Sequence, residues 1–292
     1  MSVKKHIPNA ITSCNIICGC LSIVFAAEGH VLWSAYAIFI ATIFDFGDGL
    51  AARALKVQSE IGKQLDSLAD MITFGVAPAV MIYFMLMDID LQHAWPMKIG
   101  TDYLPSNFGS FDPSNSPNFS IGWLRHYLPY LVFFIPVFSA IRLAKFNVDE
   151  SQSKEFKGLA TPANAVFFAG LAIVFVHIFH LYYQEKGIGT WGLRRPVMPQ
   201  QIADQFILYM TILSIVMSFM LVAPIRMFSF KFKSMGWNGN EVRYIFIVII
   251  LLSILGALLI KNIFIAAPII ILLYIIVSMI NNLFRKKNEI QS

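Results

Sequence analysis

The sequence predicts an all-α integral membrane protein of about eight transmembrane helices, and three observations carry that expectation. Of its 292 residues, 57% are hydrophobic and only 13% charged, where an ordinary soluble domain carries roughly 25% charged residues. Apolar windows long enough to cross a hydrocarbon core of about 30 Å recur along the whole chain. Lysines and arginines gather at alternate ends of those windows, the pattern that fixes orientation in a bilayer.

The first window, 11–29, starts late and carries Asn15 in its middle. It runs out in Ala26-Ala27-Glu28-Gly29-His30 with no clear cleavage site leading into a soluble protein, so it is expected to remain as a helix. Cys14, Cys18 and Cys20 all lie in it; with no histidine nearby, packing between helices is expected of them before metal binding. The second window, 31–50, continues as a helix to about Leu55, and the third covers 65–88. Windows 126–144, 160–183 and 204–225 follow. The last two, 242–260 and 263–281, are separated only by Lys261 and Asn262, a turn that makes them antiparallel neighbours. Their interiors hold almost nothing polar, so residues 226–292 read as a scaffold pair with a basic tail, attached to a site-bearing unit over 1–225. The connections at 88–125 and 183–201 are rich in Gly, Pro, Ser or Asn and read as irregular surface loops, with Trp95, Trp123 and Trp191 as interfacial anchors. His177 and His180 read as interfacial too. No internal repeat of the kind that builds transporters is evident.

Alternating helices put Lys4, Lys5, Arg53, Lys56, Lys63, Arg142 and Lys145 on the side of the N-terminus, together with Lys231, Lys233 and the tail Arg285-Lys286-Lys287. The opposite side receives Lys98, Arg125, Lys186, Arg194, Arg195 and Lys261. This asymmetry predicts that both termini are cytoplasmic. The formal net charge of +5 is then a matter of topology and anionic headgroups, and nucleic acid is not an expected partner.

Against this apolar background stands DFGDGLAARALKVQSEIGKQLDSLAD, Asp45 to Asp70. On a helix ending near Leu55, Asp45, Asp48, Gly49 and Ala52 fall at offsets of three, four and seven and share one face. On a second helix starting near Ile61, Gly62, Asp66 and Asp70 recur every fourth residue. A short turn near Gln58 and Ser59 makes the two helices antiparallel, so four carboxylates can converge between them at the cytoplasmic interface. Such a cluster needs protons or a cation, and an all-oxygen ligand set suits Mg²⁺, Mn²⁺ or Ca²⁺ better than Zn²⁺. Two divalent ions clamped by shared carboxylates are a standard solution for chemistry on a phosphate ester or anhydride. Gly49 and Ala52 remove bulk from the acid-bearing face, and Arg53 offers a fork of donors to phosphate. Thr12, with Asn9 and Asn15 close by, could face a nucleotide or serve helix packing. A transporter would instead want charge distributed along a conduction path.

The pattern Asp45-x-x-Asp48-Gly49-x-x-Ala52-Arg53, eight residues, Gly62-x-x-x-Asp66-x-x-x-Asp70 resembles, without departure, the signature of the CDP-alcohol phosphotransferase family. The resemblance implies a membrane enzyme that uses divalent metal to displace CMP from a CDP-linked alcohol with a second alcohol. It implies metal ligation by Asp45, Asp48 and Asp66, and for Asp70 both metal association and the role of general base. Gly49, Ala52, Arg53 and Gly62 match positions that accommodate the cytidine diphosphate moiety, and Asn9 and Thr12 are candidates for the same subsite. Three further stretches resemble the phosphatidylserine synthase branch: Pro8-Asn9-x-x-Thr12-x-x-Asn15, DSLADMITFGVAPA, and IRLAKFN from Ile141 followed by Gly158-x-x-Thr161-Pro162. Lys145 stands where that branch commonly has Arg, which keeps the charge and loses the bidentate fork. The resemblance covers approximately residues 5–225.

That branch implies CDP-diacylglycerol and L-serine as substrates in a prokaryotic inner membrane, with a homodimer as one assembly open to it. Glycerol 3-phosphate, inositol or choline as acceptor, or an ether-lipid donor, are the alternatives. Serine brings a carboxylate, so its pocket wants a fixed cation distinct from the one holding pyrophosphate. Arg142, Lys145 and Asn147 are the candidates, at the cytoplasmic end of the fourth window; an anchor facing lipid phosphate is the competing role for the two basic residues.

Overall fold

The computed structural model describes residues 6–57, 59–94, 127–148, 157–185, 199–227, 236 and 240–291. Helix α1 (His6–Ala27) and α2 (Val31–Leu55) form an antiparallel hairpin through a turn at Gly29. A continuous helical rod follows, built of α3 (Glu60–Asp70), a π-helical turn (Met71–Val76) and α4 (Ala77–Ala94). A 3₁₀ turn (Leu128–Phe133) leads into α5 (Phe134–Val148). Then come α6 (Thr161–Glu185), α7 (Gln200–Val222) and α8 (Glu241–Leu259), and a short 3₁₀ turn (Ile263–Ile265) opens α9 (Ala266–Gln291). Among the described residues, eight spans are long and apolar enough to cross a membrane, which makes this an all-α, multi-pass membrane protein as expected.

The rod is the most buried of the spans. Phe74, Met81, Ile82 and Leu86 on it are fully enclosed, and Ile135, Phe167, Phe168 and Ile207 from α5, α6 and α7 close around them. The outer faces point to lipid: Val248, Leu251, Leu252 and Leu255 line the outside of α8. Small residues are buried on both helices, Ala26 on α1 and Ala35, Ala37 and Ala41 on α2, and such residues let backbones approach where no aqueous hydrophobic effect drives association. The hydroxyls of Ser22 and Ser34 meet between the two helices at 2.9 Å.

The helix ends that matter are explicitly capped. Lys56 stops α2 in the left-handed conformation (φ 54°), its N–H turned back onto the Ala52 and Arg53 carbonyls. Three residues on, the Ser59 hydroxyl accepts from the Gly62 N–H at 3.0 Å and starts α3, with Glu60 in its first turn. The terminal pair is not detached from the rest. Phe264 packs on Tyr36 and Phe39 of α2, Pro268 abuts Gly170 of α6, and Asn282 donates to the Arg226 carbonyl at 2.6 Å.

Several boundaries differ from the sequence-based ones. Residues from Asp88 to Ala94, expected in a loop, complete α4, and α6 runs through Glu185. Helix α9 continues past residue 281 to Gln291. The remaining loop residues, with Trp95, Trp123 and Trp191, lie outside the described residues, as do Lys4, Lys5, Lys98, Arg125, Lys186, Arg194, Arg195, Lys231 and Lys233. The side chains of His180 and of Arg285 to Lys287 do as well. Cys14 and Cys18 are half-buried and Cys20 is exposed, all as free thiols.

Before α6 the chain turns at Gly158 (φ 77°), whose N–H donates to the Ile225 carbonyl at 2.9 Å, while the Leu159 N–H donates to the Met220 carbonyl at 2.9 Å. Any side chain at 158 would collide with the Leu221 carbonyl as well as adopt a disfavoured φ. Gly158→Ala is therefore expected to lower the midpoint of thermal unfolding in detergent by about 4 °C or more. Gly256→Ala, at a position with open space around it, is expected to leave the midpoint unchanged or slightly higher.

Candidate active site

Asp45 and Asp48 project from the last turns of α2, Asp66 and Asp70 from α3, and the turn at 56–59 sets the two faces against each other. One carboxylate oxygen from each of Asp45, Asp48 and Asp66 lies within 4.8 Å of the other two. Asp70 faces both Asp45 and Asp66, and its carboxyl is within hydrogen-bonding reach of that of Asp45. The Asp70 Oδ1 atom is buried without a hydrogen-bond partner.

Ionised oxygens this close repel by about 3 kcal/mol per pair at an effective dielectric constant near 20. The only opposing charge turned toward the cluster, among the described residues, is Arg142 on α5, which faces Asp70 and whose Nε is buried without a partner. One guanidinium against four carboxylates leaves a strong excess of negative charge. Three convergent oxygen ligands, a fourth carboxyl with an unpartnered oxygen and no nitrogen or sulfur donor together fit a hard divalent cation.

Neighbouring residues fix this geometry. The Thr12 hydroxyl on α1 donates to Asp48 Oδ2 at 2.6 Å and also lies 3.1 Å from the Pro8 carbonyl; its single proton goes to the shorter, charged acceptor. Asn9, one turn earlier, sits against Gly62: a Cβ added there would stand 3.1 Å from Asn9 Oδ1 and 3.0 Å from Ser59 Oγ. Arg53 is exposed and its guanidinium folds back toward Gly49, while Ala52 is half-buried on the same helix. Asn9, Thr12, Asp48 and Gly62 thus belong to one corner where α1 meets α2 and α3.

The three candidates on α5 part company. Arg142 points into the acid cluster, Lys145 is exposed, and Asn147 donates from Nδ2 to Ser67 Oγ at 3.0 Å. Asn147 therefore ties α5 to α3 at the residue beside Asp66, a contact no local sequence pattern signals. Sequence reasoning also missed Thr73, whose buried hydroxyl donates to the Asn15 carbonyl at 3.2 Å just past Asp70. Its only trace in the sequence is a polar residue inside an apolar run. Asn15 itself is fully buried, and both polar atoms of its side chain lack partners.

Residues 5–101 match the family model described as CDP-alcohol phosphatidyltransferase. The chain is similar to the CDP-diacylglycerol–serine O-phosphatidyltransferase of Bacillus subtilis, 32% identical over 191 residues that cover 65% of this chain and 84% of that protein. It is similar to the enzyme of the same name from Helicobacter pylori strain 26695, 30% identical over 182 residues, 62% of this chain and 61% of the relative. It also resembles the archaetidylserine synthase of Methanothermobacter thermautotrophicus, 28% identical over 184 residues, 59% of this chain and 64% of the relative. The acid cluster lies inside the matched segment, and the likeness to the Bacillus protein runs over most of that protein's length; the chain belongs to the CDP-alcohol phosphotransferase family.

Proposed function

We propose that this protein is a CDP-diacylglycerol–serine O-phosphatidyltransferase. The observation that favours an anionic acceptor is Arg142, a half-buried side chain on α5 with a buried, unpartnered Nε, which faces Asp70 at the acid cluster. Inositol and choline have no use for a fixed cation there, whereas an anionic acceptor, serine or glycerol 3-phosphate, does. The relatives named for serine transfer support the same reading.

In the proposed reaction the serine hydroxyl oxygen attacks the phosphorus that carries diacylglycerol. The bond from that phosphorus to the bridging pyrophosphate oxygen breaks, CMP departs with the electron pair, and Asp70 accepts the hydroxyl proton. Asp45, Asp48 and Asp66 hold metal, with Asp70 associated. A bound divalent cation supplies electrostatic stabilisation of charge on the phosphoryl oxygens. Two ions, Mg²⁺ or Mn²⁺, suit the charge balance, because the donor adds a diphosphate to four carboxylates. Gly49, Ala52, Gly62, Asn9 and Thr12 shape the cytidine diphosphate subsite, and Arg53 folds over it as a donor to phosphate. Lys145 stands at the rim, where it attracts anionic substrate or headgroup, and Asn147 steadies α5 against α3. The active site and both termini face the cytoplasm of a prokaryotic cell, with residues 1–225 as catalytic unit and 226–292 as scaffold. A homodimer is compatible with this arrangement.

The deciding experiment offers the purified protein CDP-diacylglycerol, or its ether-lipid counterpart, with L-serine, glycerol 3-phosphate, inositol or choline in turn. Phosphatidylserine and CMP in equal amounts are expected from the serine reaction alone. Activity should vanish on chelation and return with Mg²⁺ or Mn²⁺, and Zn²⁺ should restore it poorly. A different lipid product identified by mass would reassign the acceptor.

Asp70→Asn keeps the size of the side chain but removes the proton acceptor and a ligand charge. The rate should fall by at least about 10²-fold. Near-normal turnover would exclude Asp70 as the base.

Arg142→Lys retains charge and loses the planar fork. The Michaelis constant for serine should rise about tenfold while that for CDP-diacylglycerol changes little. Equal weakening toward both substrates would instead assign Arg142 to the donor phosphates.

A further inference from the structure

We propose that Thr73 is a positioning residue for Asp70, holding the π-helical turn Met71–Val76 in register against α1. The inference rests on reading the four aspartates as a metal-assisted catalytic centre.

The π-helical turn begins at the residue after Asp70. Its i→i+5 hydrogen bonding takes more residues per turn than an α-helix, so the phase of everything beyond it slips relative to Asp66 and Asp70. Short π-helical stretches are rare, and this one needs contacts from outside the rod to hold it. Two neighbours grip it. On one side the fully buried Thr73 donates its hydroxyl to the Asn15 carbonyl of α1 at 3.2 Å. One turn along α1, Gly19 lets the backbones close: a Cβ there would lie 2.5 Å from Thr73 Oγ1 and 3.0 Å from Thr73 Cα. On the other side Gly75 meets Ser139 of α5, whose Cβ is 3.2 Å from where a Cβ on Gly75 would stand.

These neighbours are the two helices that also serve the acid cluster. Helix α1 carries Thr12, the donor to Asp48, and α5 carries Arg142, which faces Asp70. The Thr73 hydroxyl therefore couples the wound state of the turn to the same frame that holds the ligands. Asp45 and Asp48 on α2 do not depend on it, and Asp66 lies a full helical turn further from it than Asp70. Asp70, at the junction, does depend on it: if the turn relaxes to an α-helix, Asp70 rotates relative to Asp45 and Arg142.

A kinetic split follows. Thr73→Val keeps the shape and removes the hydroxyl; kcat should fall about 10- to 100-fold, the range expected for a small misplacement of a reacting group. KM for CDP-diacylglycerol should change less than about threefold. Mn²⁺ affinity without substrates, followed by electron paramagnetic resonance, should fall by much less than kcat, since Asp45, Asp48 and Asp66 stay in place and only the associated Asp70 is displaced. Thr73→Ser should restore kcat to within about twofold of the wild type. Gly19→Ala, which forces α1 away from an intact Thr73, should reproduce the kcat loss of Thr73→Val.

CMP release is measured with whichever alcohol the wild type turns over, so the choice of serine does not enter. If kcat of Thr73→Val stays within twofold of wild type, or if Thr73→Ser is as impaired as Thr73→Val, the inference falls while the metal-centre reading stands. Loss of Mn²⁺ affinity in step with kcat would make Thr73 a general scaffold residue and also overturns it. A wild-type protein that binds no Mn²⁺ overturns both.

Discussion

Everything in this fold answers to one electrostatic constraint: four carboxylates have to be held together at the edge of a medium that does not screen them. Three of their oxygens sit within 4.8 Å of one another, and a fourth carboxyl is in contact. Two helices with acids at helical spacing satisfy the geometry only if they are antiparallel and their ends are fixed. Lys56, in the left-handed conformation, and the Ser59 cap provide that, and they stop α2 and start α3 within a few residues. The repulsion is lowest when a cation fills the space, so the fold in effect stores affinity for metal. Hydrogen bonds to the individual acids then decide orientation. Thr12 fixes Asp48 from α1, and Arg142 faces Asp70 from α5, each from a helix outside the pair that bears the acids.

The bilayer imposes the second condition. Charged groups inside a membrane span are costly unless partnered or placed for function, and Asp48 and Asp66 stand nearer the turn that joins their helices than Asp45 and Asp70 do. The rod that carries Asp66 and Asp70 is then continued by the most enclosed stretch of the molecule, with Phe74, Met81 and Ile82 fully buried. A helix anchored so deeply cannot tilt without disturbing the core, which makes it a stiff mount for two of the ligands. Helices α8 and α9 have the opposite character. They present mostly lipid-facing surface and touch the rest through Phe264, Pro268 and Asn282, which suits a buttress better than a participant in chemistry.

Much of this was legible from spacing alone. Apolar windows gave the spans, and offsets of three, four and seven on α2 and of four on α3 placed the acids on matching faces because helical periodicity dictates it. The end of α2 at Leu55 and the start of α3 at Glu60 agree with the reading of the sequence, and the first turns of α3 lie outside the apolar window because they are amphipathic and exposed, as Ile61 and Lys63 show. Contacts between distant residues were not legible. The sequence around Asn147 suggested a substrate contact, yet in the fold its amide reaches Ser67, eighty positions away in the chain. The π-helical turn has no signature in Met-Ile-Thr-Phe-Gly-Val, since it is selected by Asn15, Gly19 and Ser139 packing around it. Arg142 and Lys145 look equivalent as a basic pair; burial separates them.

The placement of Arg142 opposite Asp70 bears on how the proposed reaction selects its acceptor. Arg142 faces Asp70, and the Arg142 Nε and the Asp70 Oδ1 are each buried without a hydrogen-bond partner. A serine carboxylate that takes the guanidinium fork competes with Asp70 for it, and so releases the aspartate to receive the hydroxyl proton. An alcohol with no anionic group would leave Arg142 facing Asp70 and the base beside its cation. On this view acceptor recognition and base availability are one event, located in two side chains on α3 and α5. It also gives a physical reason for setting the base beside a cation at all. In isolation such a neighbour makes a carboxylate a poorer proton acceptor, and that cost is removed only by the substrate able to claim the cation for itself.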